Sequence, residues 1–355
     1  MALSTLKITN FRCIEAAALS LSEDENYFFG DNGAGKTSIL EAAYFLGRGR
    51  SFRTHRPGRL VRDGMAGFSV VGHVSWSGHD VVLGVEGSRG GVQARIGGAP
   101  AESLSGLAER LAVQVIDPEV HRLVEEGPGR RRRFLDWGVF HVKPGFLGAW
   151  RRYQRALKQR NAALRQGLAA ERVTAWDPEL IVAAQQITGL REDYVAALTQ
   201  GAALAAADLL GATVSLEYER GWAGDGNLTD ALADSLARDR RHGRTHAGPH
   251  RADLKIRFED KPARDRVSRG QQKLLAAALV LAQLDLLRDA TGHRGVLLLD
   301  DPAAELDAES LKRLMNRVAG MGVQRLITGL DERGLAPTAS AARFTVSAGR
   351  VSKLV

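Results

Sequence analysis

The stretch Gly30-Asp31-Asn32-Gly33-Ala34-Gly35-Lys36-Thr37 decides how the rest of this chain is read. Glycine, four residues, a second glycine, then lysine and a hydroxyl residue is the phosphate-loop pattern. Both flanks fit it. Asn26-Tyr27-Phe28-Phe29 is a short apolar run that reads as a strand, and residues 38–46 carry apolar side chains at 39, 40, 43 and 46, the spacing of one helix face. Glycines let the backbone curl until successive N–H groups point at phosphate oxygens. The following helix adds its own free N–H groups and the positive end of its dipole. In such a cradle Lys36 reaches the β- and γ-phosphates and the Thr37 hydroxyl coordinates magnesium, with Asp31, Asn32, Ala34 and Ser38 beside them. A glycine-rich turn before a helix, with a surface lysine, is the plain alternative, and it requires neither the full spacing nor both flanks. The expectation is a site for ATP or GTP.

A second stretch completes that chemistry. Val296-Leu297-Leu298-Leu299-Asp300-Asp301 is an apolar run ending in two carboxylates. Such a run suits a central parallel strand buried on both faces, whose acidic end emerges at the carboxyl edge of the sheet, where α/β proteins place ligands. There Asp300 holds magnesium and Asp301 orients or deprotonates the attacking water. Ser268-Arg269-Gly270-Gln271-Gln272-Lys273 opens a long apolar-rich helix with Ser268 as N-cap, and Val323-Gln324-Arg325-Leu326-Ile327-Thr328 reads as another buried strand.

Composition bounds the rest. A chain of 355 residues can bury a sizeable core, as two lobes rather than one. Its 44% hydrophobic and 25% charged content is that of a soluble globular protein, and no apolar run approaches the roughly 20 residues of a membrane span. One cysteine, Cys13, excludes an internal disulfide and a zinc site built from several cysteines; with no signal-peptide pattern at the start, it points to a reducing, cytoplasmic setting. Lys and Arg number 49 against 41 Asp and Glu, a net charge of +8. That balance favours an acidic partner such as nucleic acid, although a genome rich in G and C also raises arginine content.

Texture divides the chain into three. Residues 1–118 hold short strands, the phosphate loop and, from 68 to 96, β-branched runs separated by glycine turns, which read as an antiparallel meander. Residues 119–210 are helical in pattern. Trp150, Tyr153, Leu157, Leu164 and Leu168 form one apolar stripe, Leu180, Ala184, Ile187, Leu190, Tyr194 and Leu198 a second, and Trp176-Asp177-Pro178 breaks the two into a helical arm. Residues 211–355 return to strands and nucleotide chemistry. His242 and His246, in a basic segment, lack carboxylates or cysteines in a ligand pattern, so no metal site is expected there.

In this order the pieces resemble the ABC-type ATPases: phosphate loop, signature at a helix start, acidic strand, then a short loop ending in Asp307. In that class the signature of one protomer caps the ATP held by another. Ser268, Gly270 and Gln271 match the signature, with Arg269 at a usual glycine position. Within the class the chain is similar, over nearly its whole length, to the RecF family of bacterial recombination mediators, related to the chromosome-maintenance ATPases. Leu6-Lys7-Ile8-Thr9-Asn10-Phe11-Arg12, Gly49-Arg50-Ser51-Phe52-Arg53, Arg131-Arg132-Arg133-Phe134-Leu135-Asp136 and Gly248-Pro249-His250-Arg251 carry the resemblance, with Asp300-Asp301 and Glu305-Leu306-Asp307. Thr328 stands where many ABC-type ATPases place a switch histidine, which leaves the γ-phosphate sensor unassigned.

The resemblance implies an α/β fold, an ABC-type P-loop ATPase head with a mixed central sheet, an antiparallel β meander and an inserted helical arm lobe. It implies ATP and Mg2+ as cofactors, with Arg12, Ser268, Arg269, Gly270, Gln271, Gln272 and Asp307 added to the nucleotide contacts. It further implies an ATP-dependent homodimer that binds single- and double-stranded DNA and gaps, released by slow, DNA-stimulated hydrolysis. RecO and RecR would be its partners in loading RecA on DNA coated by single-strand binding protein. Arg130, Arg131, Arg132, Arg133, Arg151, Arg152, Arg155 and Arg160 are candidates for the DNA surface. Three rivals stand beside this reading: the head of a larger chromosome-maintenance ATPase, a transporter nucleotide-binding subunit, and a DNA-binding scaffold that uses ATP only as glue.

Overall fold

Strand Glu25–Phe29, which leads into the phosphate loop, has all five side chains buried, as a strand covered on both faces must. It belongs to a six-stranded sheet ordered Arg350–Lys353, Ala342–Ser347, Glu25–Phe29, Gln324–Gly329, Val296–Leu299, Val113–Ile116. Every pairing is parallel except the hairpin between the first two strands, so the sheet is mixed. The strand ending in Thr328 therefore lies between the phosphate-loop strand and the acidic strand. That order brings three loop ends together at one carboxyl edge.

This computed structural model describes residues 1–76, 78–223, 226–333 and 335–354. Contacts divide the chain into two compact units, Met1–His121 with Asp208–Leu210 and Arg269–Val355, and Arg122–Ala207 with Gly211–Ser268. In the first, the loop feeds helix Lys36–Arg48, which is buried on nearly every side. It packs between the mixed sheet and a second, antiparallel sheet ordered Ile14–Ser20, Ala2–Phe11, Gly67–Trp76, His79–Ser88, Gly91–Ile96, Ala99–Pro100. The expected meander is the middle of that sheet. Leu3, Leu6 and Ile8 from one sheet, Ile39, Leu40 and Leu46 from the helix and Phe28, Leu298 and Leu326 from the other sheet share one core. Edge-to-face rings of Phe11, Phe45 and Phe68 tie helix to antiparallel sheet, with centroids 5.0 to 6.3 Å apart; each such pair adds about 0.5–1.5 kcal/mol beyond burial.

The second unit joins helices Pro128–Val142 and Phe146–Arg165 and most of Asp177–Leu210 to a small antiparallel sheet, Lys261–Pro262, Asp253–Phe258 and Val214–Glu219. Residues 211–268 were expected with the carboxy-terminal nucleotide lobe; they pack instead with the helices. Buried ion pairs explain it. Arg131 binds Asp253 through two bonds of 2.8 Å, and Arg132 donates to the Ala252 carbonyl at 2.6 Å. Arg191, wholly buried, donates to Asp136 at 2.7 and 2.9 Å and to the Pro249 carbonyl at 2.8 Å. Gly248 is required where it stands, since a Cβ there would lie 2.3 Å from the Tyr153 hydroxyl. Two of the segments quoted for the family resemblance, 131–136 and 248–251, thus interlock as framework. No helix among the described residues is long and apolar enough to cross a membrane.

Candidate nucleotide site

Gly30 leaves the sheet against the carbonyl of Val346, where a Cβ would come within 2.1 Å of the oxygen. The loop turns back through Gly35, in the left-handed region at φ 113°, and no side chain caps the helix that follows. Its underside is held by the last hairpin, where the Gly349 N–H donates to the Ala34 carbonyl at 2.8 Å. Asp31, Asn32 and Gly33 face solvent, while Ala34, Gly35, Lys36 and Ser38 are buried. Lys36 Nζ donates to the carbonyls of Gly30 at 2.6 Å and Asp31 at 3.0 Å, which folds the ammonium over the loop mouth.

Thr37 and Asp300 meet as the sequence spacing requires, Thr37 Oγ1 donating to Asp300 Oδ1 at 2.9 Å. Thr328 donates to the same oxygen at 2.9 Å and accepts from the Asp301 N–H at 2.8 Å, so one hydroxyl ties both acids to the intervening strand. Asp301 itself is left-handed, φ 50°, which turns the chain sharply off the sheet edge. Burial pushes the Asp300 carboxyl above its ordinary range, against the pull of the two hydroxyls and of Arg53. Asp301 is raised too, first by burial and then by Glu305, while Lys36 lowers it. Glu305 also pairs with Lys273 of helix Arg269–Thr291.

The remaining expected residues divide. Arg12 does not stand free: it grips the fully buried Glu41 carboxylate through bonds of 2.8 and 2.9 Å and donates to the Arg59 carbonyl at 3.1 Å. Ser51 donates to Glu41 as well, and Arg53 lies 3.7 Å from it. Asp307 is the N-cap of helix Ala308–Ala319, accepting from Glu309 and Ser310 N–H groups at 3.1 and 3.0 Å. Ser268, Arg269, Gly270 and Gln271 are exposed at a helix start, and Gln272 is buried one turn in. Sequence reading missed Glu41, Ser51 and the closing hairpin. Glu41 lies off the apolar face read at 39, 40, 43 and 46, so the helical spacing gave no signal for it; the helix is buried on nearly every side.

Of the arginines expected on a DNA surface, Arg160 is corrected outright. It is 0% exposed and held by Asp177 at 2.7 Å, Asp239 at 2.7 Å and Thr245 at 2.8 Å. Arg131 and Arg132 are likewise committed to the framework. Arg133, Arg151, Arg152 and Arg155 are exposed, and Arg130 is half-buried. Beside the phosphate loop an open cavity of about 730 Å³ is lined by Cys13, Arg62, Thr345, Ser347, Gly349 and Arg350, among others.

Comparison with known proteins places this geometry. Residues 2–353 match the family described as RecF/RecN/SMC N terminal domain. The solved structure of the recombination mediator protein RecF with ATP, from the RecFOR pathway, aligns with a TM-score of 0.90 at 26% identity over 99% of each chain. An Smc head bound to the C-winged helix domain of ScpA aligns with a TM-score of 0.62 at 17% identity, over 100% of this chain and 98% of that one, a likeness of fold alone. The fold is that of the ABC-type ATPase heads. At closer range, the DNA replication and repair proteins RecF of Shewanella baltica (strain OS155) and Shewanella amazonensis are 39% and 38% identical to it, over 99% of each chain. The chain belongs to the RecF family.

Proposed function

We propose that this protein is an ATP-dependent DNA-binding ATPase of DNA repair and replication, and that ATP closes two copies over each other's sites. The convergence of Lys36, Thr37, Asp300 and Asp301 at one sheet edge carries the reading. Lys36 has three donors and uses two on loop carbonyls, which leaves one for a phosphate oxygen. Thr37 Oγ1 and Asp300 Oδ1, 2.9 Å apart, are the hard oxygen pair that suits a magnesium ion completing its shell with phosphates and water. Bound there, the ion would neutralise charge on the transferred phosphate. Asp301, raised by burial, is a stronger base than a solvated carboxylate and serves to orient or deprotonate water. The cavity lined by Cys13 and Arg62 takes the base and ribose.

Ser268, Arg269, Gly270 and Gln271 of a second copy close the site, because an exposed helix start offers N–H groups to the γ-phosphate. Arg12 acts through Glu41 by fixing the flank of the loop, and Asp307 by capping the helix that follows the acidic turn. Slow hydrolysis then releases the pair from DNA in the cytoplasm, where RecR and RecO with RecA act downstream. The test is particle size with and without ATP. A dimer formed only with ATP, absent in Lys36→Ala, supports the scheme; a monomer at saturating ATP overturns it. Asp301→Asn should keep the ATP-driven dimer and lose turnover by about 10²–10⁴-fold; unchanged turnover removes Asp301 from the chemistry.

A further inference from the structure

The second unit contains a surface whose charge is uncompensated by construction. Residues 238–246 read Arg-Asp-Arg-Arg-His-Gly-Arg-Thr-His, with Asp239 the only acid. Asp239 is 0% exposed, and both its oxygens are engaged from within the fold. Oδ2 accepts from Arg160, and Oδ1 accepts from the His246 N–H at 3.0 Å and contacts the His246 ring at 2.7 Å. The one carboxylate that would offset this segment faces inward, while Arg238, Arg240, Arg241 and Arg244 are all exposed. Among the described residues, none of these four arginines has a carboxylate within ion-pair distance.

A neighbouring helix extends the same surface. Asn161 accepts from the Thr245 N–H and hydroxyl at 2.8 Å, and the Arg165 side chain lies 3.1 Å from where a Gly243 Cβ would stand. Lys158 and Arg165 are on the Asn161 face of helix Phe146–Arg165 and are exposed. The His242 ring registers the field: its pKa is lowered, first by lost hydration and then by His246, Arg244, Arg238 and Arg241. Cations at a helix end also complement the dipole, but that effect acts within the last turn. It does not account for Lys158 and Arg165 on another helix.

We infer that Lys158, Arg165, Arg238, Arg240, Arg241 and Arg244 form a docking surface for the phosphate backbone of duplex DNA. This rests on the DNA-binding reading above. Guanidiniums bind phosphate oxygens in pairs and carry no base preference. Residues 238–246 hold no phenylalanine, tyrosine or tryptophan on which unpaired bases could stack, only the ring of His242 in the open, so the duplex is favoured over a single strand. The ion pairs of Arg160 with Asp239 and Asp177 hold the arginine-bearing helix end in place; buried charge thereby fixes exposed charge.

The test is a salt titration of binding to a mixed-sequence duplex by the full chain with ATP. Each lost phosphate contact lowers the slope of log affinity against log salt by about 0.9. R238E/R241E/R244E should therefore lose about 3 units of slope and at least about tenfold in affinity, with R238Q/R241Q/R244Q intermediate. ATP-driven dimerisation should be unchanged in both, and K255Q/R257Q, which removes charge from strand Asp253–Phe258, should bind as the unmodified protein does. If the unmodified protein binds duplex and the triple variants match it in slope, the surface is wrong. If the unmodified protein binds no duplex, the DNA-binding reading falls with it. Displacement by polyglutamate at the same charge concentration as by duplex would assign the surface to an acidic protein segment and overturn the proposal.

Discussion

Arg12 in the nucleotide unit and Arg160 in the helical unit both grip carboxylates, yet their surroundings differ. Arg12 is 23% exposed beside the phosphate loop and holds one buried glutamate; Arg160 is 0% exposed between two aspartates, one of them, Asp239, also 0% exposed. The first pair steadies the flank of a site whose working groups come from a local motif. The second has no motif behind it. It is a structural anchor whose visible product is a row of other arginines left at the surface. The lesson is that arginine in a basic chain has two occupations, and burial divides them.

The comparison can be broken most directly at its buried end. Arg160→Ala takes the guanidinium away from the buried Asp239 and from Asp177, a loss of about 3–5 kcal/mol in urea unfolding followed by tryptophan fluorescence. Arg133→Ala, at an exposed position of the same unit, should change stability by less than about 0.5 kcal/mol. Equal losses for the two would erase the distinction.

Acid should sharpen it next. The His250 ring accepts from the Tyr153 hydroxyl at 2.6 Å through Nδ1 and donates to the Thr245 carbonyl at 3.1 Å through Nε2, an arrangement that needs a neutral ring. Burial, chiefly, holds its pKa down at about 4, against an ordinary 6.5. The unfolded chain therefore takes up a proton near pH 6.5 and the folded chain only near 4. Stability from this group is complete above pH 6.5, falls by about 3 kcal/mol between 6.5 and 4, and is flat below. His250→Gln should flatten that slope in urea midpoints measured across the window; an unaltered slope would place the acid sensitivity elsewhere.

A smaller loss than that at Arg160 belongs to the nucleotide unit. Thr328→Val removes a donor to Asp300 and strands the Asp301 N–H, at about 1–3 kcal/mol of stability. Because that hydroxyl helps hold the Asp300 pKa down, its loss should also move the acid limb of ATP hydrolysis to higher pH. A pH–rate profile that superposes on that of the unmodified protein would deny Thr328 this part.

What could be read from the sequence follows the same division. The phosphate loop and acidic strand were legible because phosphate chemistry demands fixed residue types at fixed local spacing. Glu41 was not, since its partner Arg12 is brought to it by packing of the helix on the antiparallel sheet rather than by chain proximity. Arg160 sits at regular helical spacing among exposed arginines, and nothing in that spacing announces Asp239. Residues 211–268 carry strand patterns like those of the nucleotide lobe; their packing, ion pairs and hydrogen bonds with the helices assign them to the other unit.

The hairpin of Ala342–Ser347 and Arg350–Lys353 has a consequence for biosynthesis. Ala34 receives its hydrogen bond from Gly349, and Gly30 turns against Val346. On the ribosome, a nascent chain that has exposed its phosphate loop must wait for strand Ala342–Ser347 and Gly349 to emerge before that loop is seated. A seated loop thus waits on that hairpin, and fragments released before it would carry the motif without its cradle.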